Sequence, residues 1–269
     1  MSRADTASIA SHWERDGLSD AIRRALEASG SDLAALTVDD LAPLDQFHGG
    51  GLAFTRRLAT LGRLTAGMRV LDVGGGLGGP ARTLALEFGC RVTVIDLTET
   101  YVDAGRMLTS LMQLEDRLDF EVGDALDLPF DADRFDAVWT QNSGMNIADK
   151  DRLYAGFHRV TRPGGRLVTQ EPMAGPVQPP VYPLMWAPDP SIDHLRAPDA
   201  MRTTIEAAGF VALEWREVAI GPPPPGAPRP RHTVQALVMG DDRVEAIMQA
   251  SRRNEDEGRV VTVHAVFSA

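Results

Sequence analysis

Residues 70–82 read VLDVGGGLGGPAR. An apolar run carries a carboxylate, Asp72, into five glycines within six positions, and Pro80 follows at once. A strand that dissolves into glycines and restarts as a helix is the place where open α/β sheets bind nucleotides. Pro80 suits that restart, because the first helical turn has no use for its missing N–H. Gly74, Gly76 and Gly79 satisfy G-x-G-x-x-G, and Asp96 follows at the distance of an acid that holds ribose hydroxyls. Asp72 separates the candidate ligands. A pyrophosphate seated at the helix N-terminus would be repelled by a carboxylate at the strand end. A ligand with adenine and ribose but with an ammonium and a sulfonium in place of phosphate would be attracted. The stretch therefore points to S-adenosylmethionine rather than a nicotinamide dinucleotide.

Outward from this point the chain alternates. Short β-rich runs, RVLDV, RVTVID, LDFEVGD, FDAVWTQ and GRLVTQE, are separated by helical patterns. Several runs are too apolar to have a wet face, as parallel strands covered on both sides require. ETYVDAGRMLTSLMQL places Ala104, Met107, Leu108, Leu111 and Leu114 at helical spacing. The expected fold is α/β: a doubly wound, mostly parallel Rossmann-like sheet, with an N-terminal helical cap over 1–65 and a nucleotide-binding domain over 66–269. Residues 172–196, rich in proline, read as an insert after the fifth strand. APDAMRTTIEAAGF reads as a later helix, VALEWREVAI and RVVTVHAVFSA as further strands. GPPPPGAPRPR reads as a stiff extended connector.

The global numbers exclude some classes. With 269 residues, 43% hydrophobic and 24% charged, the chain has ordinary globular composition. A net charge of -11 disfavours a nucleic-acid partner, which would need a basic surface. No stretch approaches a membrane span and the N-terminus has no apolar leader core, so a cytoplasmic protein without a membrane partner is expected. The single cysteine, Cys90, reads as a small core residue.

Three further segments carry a family resemblance. FEVGDALDLPF, FDAVWTQNSGMNI and LYAGFHRVTRPGGRLVTQEP follow the glycine stretch in order. Together they resemble class I S-adenosylmethionine-dependent methyltransferases, in the small-molecule branch that holds sarcosine/dimethylglycine N-methyltransferases and quinone C-methyltransferases. The resemblance implies cofactor contacts from Asp72, Gly74, Gly76, Gly78, Asp96, Leu97, Asp124, Ala125, Leu126 and Gln141. Asp124 would accept from the adenine amine, with Ala125 and Leu126 framing the ring. It implies methyl transfer to an O, N or C nucleophile of a small acceptor. The alternative is an enzyme of the same fold that binds the cofactor but catalyses a cyclase- or isomerase-like reaction.

Transfer from a sulfonium mainly requires alignment and exclusion of water, with a base only where the nucleophile must lose a proton. His48, in DQFHGGG, is the first candidate for that base, and Gln141 the candidate for orienting the nucleophile. Glu171 and His194 rank behind them. Acceptor contacts are expected from His48, Asn142, Met145, Tyr182 and Trp186, in a pocket built by the N-terminal helices and the 172–196 insert. Arg196 is the one nearby residue suited to a small carboxylate acceptor. No metal site is expected, since Gln141, Asn142 and Glu171 are a poor donor set for a hard cation. The partners expected are a small acceptor and, as an open assembly, a second copy in a homodimer.

Overall fold

The computed structural model describes residues 3–221 and 233–269. Most of the proline-rich connector, 222–231, lies outside these residues. In chain order the helices and strands are α1 (Arg3–Trp13), α2 (Leu18–Ser29), α3 (Val38–Asp45), α4 (Gly51–Leu61), β1 (Arg69–Val73), α5 (Gly79–Glu87), β2 (Arg91–Asp96) and α6 (Glu99–Leu111). They continue with β3 (Leu118–Val122), β4 (Phe135–Gln141), α7 (Lys150–Val160), β5 (Thr161–Ala174), α8 (Pro198–Ala207), β6 (Val211–Val218), α9 (Val234–Met239), α10 (Asp241–Asp256) and β7 (Val260–Ser268).

The strands form one sheet in the order β3-β2-β1-β4-β5-β7-β6. β1 to β5 are parallel, and β7 runs antiparallel between β5 and β6. Strand alternation sorts side chains onto two faces. Leu71, Val73, Val138 and Leu167 join α7 and α8 in one core, while Val70, Ala137, Trp139 and Val168 join α4 and α5 in the other. Both faces are covered, which is why these strands read as nearly continuous apolar runs. The strand order reverses between β1 and β4, and the glycines leave β1 at that switch point. Cys90 is buried in the second core.

The helices of 1–65 do not stand apart from the sheet. α4 packs on α5 and β5 in the second core, and α2 and α3 share a third core with α6, α9 and α10. A buried ion pair ties this layer down: Arg82 Nη2 on α5 lies 2.9 Å from Asp45 Oδ2 at the end of α3, both almost without exposure. Arg82 also donates to Thr109 Oγ1 of α6 at 3.2 Å. α3 begins with a capping box in which Thr37 Oγ1 accepts from Asp40 N–H and the Asp40 carboxylate accepts from Thr37 N–H. Thr37→Ala is expected to cost about 1 kcal/mol of stability, read by chemical denaturation, with cofactor affinity unchanged.

Candidate functional site

One cavity of about 1450 Å³ runs along the carboxyl ends of the parallel strands. Asp72, Gly74, Gly76, Asp96 and Leu97 line it from the ends of β1 and β2. Asp124 and Ala125 line it from beyond β3, and Gln141 and Asn142 from the end of β4. The turn after β1 depends on glycine. Gly74 has φ 67°, and a Cβ there would collide with Ser143, whose hydroxyl donates to Val73 O at 3.1 Å. A Cβ on Gly75 would come within 2.8 Å of the Asp72 carboxyl carbon. The Asp96 carboxylate fixes the loop, accepting from Gly76 N–H at 2.8 Å and from Thr98 N–H at 2.9 Å.

Asp72 is the group that tests the cofactor. Its side chain is buried, faces the cavity, and Oδ2 has no hydrogen-bond partner. Burial, and then the nearby Asp96, push its carboxyl up to about 8. A buried acid without a partner is costly unless a ligand supplies one. An ammonium or sulfonium does; a pyrophosphate does not. Tyr101, which also lines the cavity, has a buried hydroxyl without a partner. Asp72, the glycine cradle and Asp96 thus fit S-adenosylmethionine.

Two expected cofactor residues lie elsewhere. Gly78 starts α5 with φ 75° and is absent from the cavity lining; a Cβ there would strike Phe120 and Arg82. Its glycine serves helix packing. Leu126 turns its side chain into the core beneath β1 and β4, while its N–H donates to Asp124 Oδ1 at 2.9 Å. Tyr182 also lies off the cavity, its hydroxyl donating to Asp193 Oδ2 at 2.7 Å.

His48, Gln141 and Asn142 meet in a network of neutral groups. The network closes with the His48 proton on Nε2. Nε2–H then donates to Gln46 Oε1 at 2.9 Å, and Nδ1 accepts from Gln141 Nε2 at 3.1 Å. Gln141 Nε2 also donates to Gln170 Oε1 at 3.1 Å, and Gln170 Oε1 accepts from His264 Nε2–H at 2.9 Å. Gln170 Nε2 donates to Gly49 O and Asn142 Oδ1, both at 3.0 Å. Thr55 donates its hydroxyl proton to Gln46 Oε1 at 2.8 Å and lies 3.3 Å from Gln141 Oε1. Since that proton serves Gln46, Gln141 Oε1 keeps a lone pair for a ligand.

This network changes the reading of His48. Burial pulls the imidazole down to about 4, so the ring is neutral at neutral pH. Both nitrogens are engaged within the protein. The sequence suggests a base poised near neutrality; the structure shows a held, neutral ring. Glu171 is likewise removed from the cavity. Its carboxylate accepts from Gly144 N–H at 3.0 Å and from Thr140 Oγ1 at 3.1 Å, anchoring the turn over 144–146. His194 does not line the cavity, and its N–H donates to Met145 O at 2.9 Å.

Met145 and Trp186 do line the cavity, with Leu184 and Met185. The insert is fastened rather than loose. Trp186 Nε1 donates to Asp193 Oδ1 at 3.0 Å, and Asn146 Nδ2 donates to the carbonyls of Trp186 and Ile192, both at 2.8 Å. α1 contributes Trp13, whose Nε1 donates to Asn146 Oδ1 at 3.2 Å. The sequence reading missed Gln46, Thr55, Gln170 and His264. Only the last two left a trace, as polar residues inside the apolar strands β5 and β7. It also missed a wall of the cavity formed by the segment after β6, by α10 and by β7.

A methyltransferase domain model matches residues 71–169. Methyltransferase GfsG of Streptomyces halstedii is 31% identical over 214 residues, covering 76% of this chain and 75% of that protein. A glycine/sarcosine/dimethylglycine N-methyltransferase of Actinopolyspora halophila is 30% identical over 160 residues, covering 56% of this chain and 27% of that longer relative. In fold, the chain is similar to geranyl diphosphate C-methyltransferase from Streptomyces coelicolor A3(2), with a TM-score of 0.70 at 20% identity over 98% of this chain and 97% of that one. With the cation-seeking acid, the glycine cradle and these relatives in hand, the chain belongs to the S-adenosylmethionine-dependent methyltransferases.

Proposed function

We propose that the cofactor lies along the ends of β1 to β3, against Asp72, Gly74, Gly76, Asp96, Leu97, Asp124 and Ala125, and that the acceptor sits above β4 and β5, against His48, Gln141, Asn142, Met145 and Trp186. The observation that carries this reading is the unpartnered, buried Asp72 carboxyl beside the glycine turn. When bound, S-adenosylmethionine supplies a methyl group already activated on a sulfonium. Asp72 offers the charge that a cation requires. Asp96, held by Gly76 and Thr98, keeps acceptor capacity for two hydroxyls. Gln141 has its amide nitrogen committed to His48 and Gln170, so Oε1 is the atom that accepts a hydrogen bond from an O–H or N–H of the acceptor and so aims its lone pair, the proton leaving to solvent after transfer. His48 fixes that amide and does not take the proton. The insert and α1 cover the cavity and keep water from the reacting atoms.

S-adenosylhomocysteine at a hundredfold excess over Kd is expected to stabilise the fold by about 2.7 kcal/mol, read by thermal or chemical denaturation, and NAD is expected to have no effect. Turnover of an acceptor is expected to release S-adenosylhomocysteine in step with methylated product. Product without that release would favour the cyclase- or isomerase-like alternative, and stabilisation by NAD alone would overturn the cofactor assignment.

A further inference from the structure

The cavity is larger than one ligand needs. Sites for drug-sized molecules are roughly 300–1,000 Å³, and this one is about 1450 Å³. The space beyond the cofactor cradle has its own wall. Pro172 of β5, Ile220 after β6, Met248 of α10, and Val260 and Val261 of β7 line it. Ile220 and Met248 are 36% and 40% exposed, large apolar side chains left facing a cavity. The wall is built into the fold. Glu255 of α10 accepts from Ile220 N–H at 2.9 Å, and Ile220 closes over Gly49, next to His48, where a Cβ would collide with it. Pro172 lies on the same face of β5 as Gln170, in register with Thr262 of β7, as Gln170 is with His264. The wall therefore continues directly from the amide network that aims the nucleophile.

Charge narrows the occupant. In this part of the lining, the described residues include Glu217, Glu255 and Asp256, with Arg252 as the one arginine or lysine. Arg252 lies one turn before Glu255 and Asp256 on α10, so this stretch of the lining carries more acidic than basic side chains. Arg196, the residue suited to a small carboxylate, is turned elsewhere. It donates to Thr204 Oγ1 at 2.8 Å, lies 3.8 Å from Asp151, and does not line the cavity. Among the described residues of this lining, no second arginine or lysine stands beside Arg252 to pair on a carboxylate or a diphosphate.

Resting on the methyltransferase reading, we infer that the acceptor is a bulky, uncharged, predominantly apolar molecule that seats its body against the wall formed by Ile220, Met248 and Val260 and presents its nucleophile to Gln141. Small amino acids and prenyl diphosphates are the wrong size or the wrong charge for this space.

The test uses the full chain saturated with S-adenosylhomocysteine. Nile red serves as the neutral apolar probe, sarcosine as the small zwitterion and geranyl diphosphate as the anionic prenyl probe, with fluorescence or calorimetry as the readout. Nile red is expected to bind saturably, and Met248→Arg and Ile220→Arg are each expected to weaken it at least tenfold with S-adenosylhomocysteine affinity within about twofold. Both sites are exposed, so both variants are expected to fold, and melting with S-adenosylhomocysteine checks that they do. Sarcosine and geranyl diphosphate are expected to bind at least a hundredfold more weakly than Nile red. Tighter binding of either one, no saturable Nile red binding, or Nile red binding untouched by both variants overturns the inference. Loss of S-adenosylhomocysteine binding by the wild type would instead strike the cofactor reading.

Discussion

Cofactor affinity is expected to climb about fiftyfold between about pH 6 and 8 and then level, and Asp72→Asn is expected to abolish the climb. Burial first, and Asp96 second, push the Asp72 carboxyl up to about 8. Below that pH the free protein holds the group mostly protonated. A cation seated against it draws out the ionised form, so binding releases a proton, and affinity rises toward tenfold per pH unit while the group is mostly protonated. The sign for stability runs the other way. A carboxyl raised above its unfolded value contributes stability that is complete below about pH 4 and is lost as pH rises through about 8. The free protein therefore melts lower as pH approaches 8, while the upward shift caused by S-adenosylhomocysteine grows. Calorimetry in two buffers of different ionisation enthalpy measures the released proton. At pH 8, Asp72→Asn is expected to weaken binding about ten- to a hundredfold, the scale of a hydrogen bond to a charged group. A flat wild-type profile would remove Asp72 from the cation site.

His48→Ala is expected to lower turnover by about a hundredfold while leaving S-adenosylhomocysteine affinity within a few-fold. The loss comes from orientation. Without the ring, Gln141 Nε2 loses one of its two acceptors and its amide is free to turn. Wild-type kcat is expected to show no imidazole inflection between about pH 6 and 9, because burial holds His48 neutral down to about 4. His48→Gln, whose amide can still accept from Gln141, is expected to recover part of the rate. A proton-transfer role predicts the opposite pattern: an inflection near neutrality that disappears in His48→Ala and no rescue by Gln. Since the acceptor class is inferred separately, the pH profile can be taken with any acceptor that turns over.

The amide network shows how a chain builds such a site without charge at its centre. Gln141, Gln170 and Asn142 are held by each other, by Gly49 O and by two neutral histidines. A charged group at this depth would carry a large desolvation penalty, whereas amides satisfy one another at little cost. His264 completes the set from β7, its own ring pulled down to about 4 chiefly by burial. The strand therefore does more than close the sheet.

The amino-acid sequence by itself determined the parallel strands at the centre of the sheet and the glycine turn at their carboxyl ends. RVLDV, RVTVID and FDAVWTQ became β1, β2 and β4 with the boundaries read from the sequence, because local apolar runs ending in glycine or polar turns carry that information. Asp72, the glycines and Asp96 lie within one strand–turn–helix–strand unit, so their meeting in space follows from chain-local geometry. The rest needed tertiary structure. His48 lies on the far side of α4 from β1, yet its ring is held by Gln46 on its own segment and by Gln141 from β4, which is in turn fixed through β5 by His264 of β7. Residue types at such separations carry no periodicity that a sequence reading can follow. The acceptor wall is a similar case: nothing local in the sequence singles out Ile220, after β6, or Met248, on α10. Only antiparallel insertion of β7 between β5 and β6, with α10 packed before it, brings them to the cavity and decides the shape and charge of what can bind there.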